Sequence, residues 1–146
     1  MFALTGKGVS LNALGNFSGA IAYFNKALAL NPNYKYALND KGLALDSLGN
    51  HTGAIAYSNK ALAIDPNYVP ALILKGLTLN ELGKYTDAIY NYNKALAIDQ
   101  NNLAALIVKG EALNDLGNFT TATHYYNKAL ATYPNNLAAL DDGVSA

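Results

Sequence analysis

Apolar side chains recur at helical spacing twice within the first 34 residues of this chain. Leu4, Gly8, Leu11 and Leu14 fall on one face; after the Leu14–Gly15 pair, Ala20, Phe24, Ala27 and Leu28 fall on another. The pattern predicts two amphipathic helices running antiparallel. Gly15 is placed to end the first in a left-handed turn. Ser18, with Thr52, Thr86 and Thr120 in register further along, is expected to cap the second. Pro32, Pro66 and Pro134 mark the exits from second helices, and Pro70 suits the first turn of the helix that follows.

The stretch Leu14 to Pro32 returns at residues 48, 82 and 116, always 34 residues on. Gly8, Gly42, Gly76 and Gly110 form one column, and Gly15, Gly49, Gly83 and Gly117 another. Ala20, Ala54, Ala88 and Ala122 make a third, and Ala27, Ala61, Ala95 and Ala129 a fourth. The columns of glycine and alanine let neighbouring helices approach closely. A fixed period of this size is the signature of a solenoid, whose repeats bury their apolar faces against their neighbours. The repeats divide as 1–34, 35–68, 69–102 and 103–136, and 137–146 begin a fifth unit that stops early or caps the array. The expected architecture is an all-α solenoid of antiparallel helix pairs: four repeats plus a truncated fifth first helix, forming one domain.

Composition narrows the chemistry. Ten lysines balance ten acidic residues and arginine is absent, so no net field or forked phosphate contact draws the chain to nucleic acid. Without cysteine there are no disulfides, thiolate metal sites or thiol nucleophiles. No leader pattern or membrane-length apolar stretch is visible, and a soluble, cytoplasmic protein without membrane insertion is expected. His51 and His124 occupy different repeat positions with no second ligand at metal spacing; they read as a substituted aromatic and a solvent-facing side chain. Lys7, Lys41, Lys75 and Lys109 form one ladder, and Lys26, Lys60, Lys94 and Lys128 another. The first set is expected to lay its stems over apolar surface, and the second to favour the helix C-terminal dipole. Most tyrosines read as core; Tyr36 is the exception. Residue types for nucleophile, base, metal or cofactor are gathered in no motif, so no enzyme activity and no cofactor are expected.

The columns at positions 8, 20 and 27, the aromatics Phe17, Tyr85 and Phe119, then Phe24, Tyr92 and Tyr126, and the proline at 32 resemble the tetratricopeptide repeat family over essentially the whole chain. Leucine at position 4, where the family often has tryptophan, and lysine at position 7 give it the look of a microbial-type array. Gln100 stands where proline is usual, so a smoother turn is expected there. His51 and Ser58 replace aromatics in the second repeat, which is expected to be the softest.

The resemblance implies a right-handed superhelix whose first helices line a concave groove through repeat positions 2, 5, 9 and 12. Carried over, Phe2, Thr5, Val9 and Asn12 come from the first repeat, and Tyr36, Asn39, Leu43 and Asp46 from the second. Pro70, Ile73, Leu77 and Asn80 come from the third, and Ala104, Ile107, Glu111 and Asn114 from the fourth. An apolar strip from Val9 through Leu43, Ile73 and Leu77 to Ile107, bordered by Asn12, Asp46, Asn80 and Asn114, is the expected peptide-binding surface. Some members clamp a peptide's terminal carboxylate with lysine, asparagine and arginine. The corresponding residues here, Thr5, Val9, Asp40, Pro70 and Leu74, make no such clamp. The expected function is a non-catalytic scaffold holding a peptide or protein segment in the groove. The alternative is a self-assembling scaffold, a homo-oligomer joined through its repeat ends by Leu137, Leu140 and Val144. These are apolar positions in a terminal unit whose outer face should be polar.

Overall fold

A Leu-Gly-Asn triplet is enough to turn this chain from one helix into the next. In the first repeat the Asn16 N–H donates to the Leu11 carbonyl at 2.9 Å and the Gly15 N–H to the Asn12 carbonyl at 3.0 Å, closing two of the carbonyls that the helix end leaves open. Such a closure needs a positive φ at the penultimate residue; Gly15, Gly49, Gly83 and Gly117 supply 82°, 83°, 78° and 81°. Asn16 then serves the next helix, its side chain accepting from the Gly19 N–H at 3.0 Å. One residue thus closes one helix and opens another, which holds the two antiparallel across a three-residue link.

The computed structural model describes residues 1–133, and among them eight helices. They are α1 Phe2–Ala13, α2 Phe17–Leu30, α3 Lys35–Ser47, α4 His51–Ile64, α5 Val69–Glu81, α6 Tyr85–Ile98, α7 Leu103–Asp115 and α8 Phe119–Thr132. Pro134, Leu137, Leu140 and Val144 lie outside the described residues. The chain forms two units, Met1–Thr78 and the residues from Leu79 on.

The caps differ from expectation. Asn16, Asn50 and Asn118 accept from the N–H groups of Gly19, Gly53 and Thr121, whereas Ser18, Thr52 and Thr120 already lie inside the first turn. The cap falls to the residue just outside the helix, from which the asparagine side-chain carbonyl reaches the third amide. In the third repeat Lys84 holds the cap position and supplies no side-chain bond. Gln100 brings no smoother turn either. The Asn102 N–H reaches the Asp99 carbonyl at 3.1 Å, as Tyr34 reaches Asn31 at 3.2 Å and Tyr68 reaches Asp65 at 3.1 Å. An Asx residue at the start and this one bond set the turn, so proline is dispensable.

In the first unit α1 packs on α2, α2 on α3, α3 on α4, and α1 touches α3 directly. The alanines at positions 20, 27, 54 and 61 are fully buried where helices cross. Ala20, Phe24 and Ala44 form one core cluster, with Leu11, Phe17 and Ile21 packed around it. Leu38, Ala61 and Ala71 form the next. In the second unit Leu106 with Ala129, and Leu113 with Ala122 and Tyr126, do the same work.

The second repeat repairs its missing aromatic from outside. A Cβ on Gly8 would lie 2.5 Å from Phe24 Cε1, and one on Gly110 2.5 Å from Tyr126 Cε1. At Gly42 the nearest atom is Leu74 Cδ2 at 3.1 Å. Ser58, buried, turns its hydroxyl back onto the Ala54 carbonyl at 2.9 Å, and the buried Leu74 approaches Gly42 as the rings of Phe24 and Tyr126 approach Gly8 and Gly110.

Lysines stack on tyrosines. Lys7 and Lys26 flank the Tyr23 ring at 5.1 and 4.8 Å, and Lys41 and Lys60 both approach Tyr57 at 4.4 Å. Lys41 also donates to the Tyr57 hydroxyl at 2.8 Å, and Lys109 to Tyr125 at 2.7 Å. Hydrogen bonding to Lys41 draws the Tyr57 phenol below its ordinary range. Lys26, Lys60, Lys94 and Lys128 fall outside the last turns of their helices, so the dipole account of that ladder gives way, for Lys26, Lys60 and Lys94, to contact with aromatic faces.

Candidate functional site

The first helices of the first unit carry an exposed apolar face. Phe2, Val9, Tyr36 and Leu43 are 83%, 47%, 45% and 40% exposed, although each is a large hydrophobic side chain on a well-formed helix or at its start. Phe2, Thr5, Gly6, Val9, Tyr34 and Tyr36 enclose a cleft of about 350 Å³, open to solvent. Its size is that of a site for one large side chain or a short segment.

Aromatic rings extend from this cleft in an edge-to-face series. Phe2 meets Tyr34 at 6.3 Å and 88°, Tyr34 meets Tyr36 at 5.3 Å and 68°, and Tyr36 meets Tyr68 at 5.7 Å and 86°. Rings in this arrangement support one another and keep the apolar wall preformed. Lys35 lies 5.3 Å from the Tyr36 ring and 5.1 Å from that of Tyr68, anchored by a 2.7 Å ion pair to Asp65. Burial, reinforced by the charge of Asp40, pushes the Tyr68 phenol up to about 12.

First helices of both units also carry polar atoms without partners. Thr5 and Asn39, each 7% exposed, sit at repeat position 5, and Asn12 and Asn80 at position 12. Thr5 Oγ1 and the Oδ1 atoms of Asn12, Asn39 and Asn80 are covered and accept or donate no hydrogen bond. A covered polar atom left unpaired costs about 1–3 kcal/mol, so four at groove positions need a reason.

Not every groove residue is placed as expected. Asn39, expected to line the groove, is buried beneath the face. Asp46 turns to His51, whose Nδ1 lies 2.9 Å from Oδ1, and to the Thr78 hydroxyl at 3.1 Å. His51 therefore has a carboxylate partner five residues back that its spacing did not advertise. His124 is exposed and meets Tyr125 edge-on at 5.2 Å. Ile73 and Leu77 are half-buried, and Leu74, at a clamp position, is buried. In the second unit Ile107 packs against the Leu106–Ala129 cluster, Glu111 and Asn114 are exposed, and Asn80 donates to Asp115 at 3.3 Å.

Tyr34 and Tyr68 were missed by the sequence reading. The signal was present: both stand at repeat position 34, just before a first helix, in Asn-Pro-Asn-Tyr and Asp-Pro-Asn-Tyr.

Helix pairs of this kind, linked by a glycine turn and repeated every 34 residues, define an all-α solenoid. Residues 5–69, 69–102 and 103–136 each match a profile of the tetratricopeptide repeat, and the chain belongs to that family. Among solved structures it is similar to MamA at 23% identity and a TM-score of 0.79, over 93% of this chain and 80% of that one. A second MamA structure gives 26% and 0.75 over 88% and 70%. The Cut9–Hcn1 hetero-tetramer of the APC/C gives 20% and 0.88 over 97% of this chain and 28% of that one. No curated protein matches the chain. Membership makes the chain a protein-interaction scaffold, in a family whose members are typically non-catalytic. Among the described residues no helix is long and apolar enough to cross a membrane.

Proposed function

We propose that the exposed face of α1 and α3 docks a peptide segment of a protein partner, without a carboxylate clamp, without catalysis and without nucleic acid. The cleft between Phe2, Val9, Tyr34 and Tyr36 carries this reading, because it joins exposed apolar walls to a covered, unpartnered Thr5 hydroxyl. An apolar side chain seated there removes the walls from water, at roughly 25 cal/mol for each Å² covered. A peptide backbone alongside can supply hydrogen bonds to the polar atoms of positions 5 and 12 after small side-chain adjustments.

Gly6 supplies the test. A Cβ placed there meets nothing within 4 Å, yet Gly6 lines the cleft, so Gly6→Leu fills the cleft without crowding the core. A displayed library of random dodecapeptides selected on the wild-type protein should yield enriched sequences that Gly6→Leu no longer retains. Retention of the same sequences by Gly6→Leu at equal strength would place docking elsewhere.

A further inference from the structure

One repeat beyond Gly6 the same helix position holds Asp40. Gly6 lines the cleft between Phe2, Val9 and Tyr36, so the register of the repeat sets Asp40 among Tyr36, Leu43 and Tyr68. The carboxyl is half-buried, and its charge is felt at the Tyr68 phenol. Both lysines near it in sequence are committed elsewhere: Lys35 is bound to Asp65 at 2.7 Å, and Lys41 to the Tyr57 hydroxyl at 2.8 Å. No hydrogen bond or ion pair reaches Asp40 among the described residues, and burial alone accounts for its raised proton affinity.

A half-buried carboxylate with no cation of its own is partly desolvated, and pairing with a cation from outside the chain would offset that cost. Asn39, next to Asp40 in the chain and more than nine-tenths buried, likewise has an Oδ1 that nothing in the chain satisfies. Unused acceptors therefore stand beside apolar walls, and the lysines described near them are engaged: Lys35 pairs with Asp65 while lying over Tyr36 and Tyr68, and Lys7 and Lys41 stack on Tyr23 and Tyr57. Acceptors and negative charge beside a row of aromatic and aliphatic side chains complement a donor-bearing cation beside an apolar group.

Resting on the docking face proposed above, we infer that its occupant is a basic peptide segment, in which a lysine or arginine pairs with Asp40 while a neighbouring large apolar side chain fills the Phe2–Val9–Tyr36 cleft. A terminal carboxylate or an acidic segment is disfavoured at the same place by like charge.

The experiment is the dodecapeptide selection repeated in parallel on the wild type, Asp40→Asn and Gly6→Leu, followed by fluorescence anisotropy with the strongest wild-type peptide and its lysine-to-norleucine form. Asp40→Asn removes a desolvated charge, so the fold is retained. On the wild type, lysine and arginine should be enriched at a fixed spacing from a large apolar residue. On Asp40→Asn that excess should vanish and the wild-type peptide should bind about tenfold more weakly or worse. The norleucine peptide should lose a similar factor on the wild type and nothing further on Asp40→Asn. Neutral or acidic consensus sequences, or a basic excess that persists on Asp40→Asn, would overturn the inference. If such peptides were still lost on Gly6→Leu, the docking face would stand and only its charge preference would fall. Peptides retained by Gly6→Leu, or no enriched peptide at all, would remove both. Self-association in sedimentation equilibrium that Gly6→Leu abolishes would assign the face to a second copy of the chain and overturn the basic-segment inference.

Discussion

Gly6 and Gly8 lie two residues apart in α1, and replacing each by alanine should have opposite effects. In a helix interior alanine is favoured over glycine by about 0.8–1.0 kcal/mol, a gain both variants share. At Gly6 the new methyl meets nothing within 4 Å; at Gly8 it lies 2.5, 2.8 and 3.0 Å from three carbons of the Phe24 ring. Phe24 is fully buried and cannot swing clear, so overpacking costs about 1–3 kcal/mol. Gly6→Ala should stabilise α1 by close to 1 kcal/mol, and Gly8→Ala should give back that gain and more. Amide hydrogen exchange across α1 reads the local free energy, alongside urea unfolding followed by helical circular dichroism. Protection should rise about fivefold in Gly6→Ala and fall in Gly8→Ala, separating the variants by about thirtyfold for a 2 kcal/mol difference. Equal protection in the two would refute the claim that the glycine column exists to admit the aromatic of the second helix.

Lys84→Asn should add the cap that the other repeats possess, stabilising by about 1 kcal/mol in urea unfolding, while Asn118→Ala should lose a similar amount. Leu74→Ala opens the space that Leu74 covers beside Gly42 in the second repeat and should cost about 2–5 kcal/mol, well above the cost of trimming an exposed leucine such as Leu43. The Asp40 carboxyl is pushed by burial to about 6 from 3.8, so folded protein holds its proton more tightly than unfolded. Its penalty is full above pH 6 and fades as the pH falls toward 4. Asp40→Asn should therefore raise the urea midpoint at pH 8, on the order of 1 kcal/mol once solvent screening is allowed for, and give little gain at pH 4.

The helices and their order were legible because the apolar period, the glycine at each turn and the buried alanine columns all speak through local sequence. Asn16, Asn50 and Asn118 were legible in principle as well, since the residue directly after the turn glycine is the one outside the helix. Other features depend on contacts between repeats. Leu74 standing in for a missing ring, the pairing of His51 with Asp46, and lysines lying on tyrosines join residues from different helices, which no single-helix pattern specifies. The candidate site divides in the same way. Val9, Tyr36 and Leu43 follow from repeat position, whereas Tyr34 and Tyr68 reach the face from turns, and Asp46 is drawn toward His51 and Thr78.

The most direct test is to titrate isotope-labelled protein with one selected dodecapeptide and follow backbone amide shifts residue by residue. Shifts concentrated in Phe2, Thr5, Val9, Tyr36 and Leu43, on the first helices, are the expected result. Shifts confined to the outward residues of α2 and α4, such as Asn25 and Asn59, with α1 and α3 silent, would contradict the account.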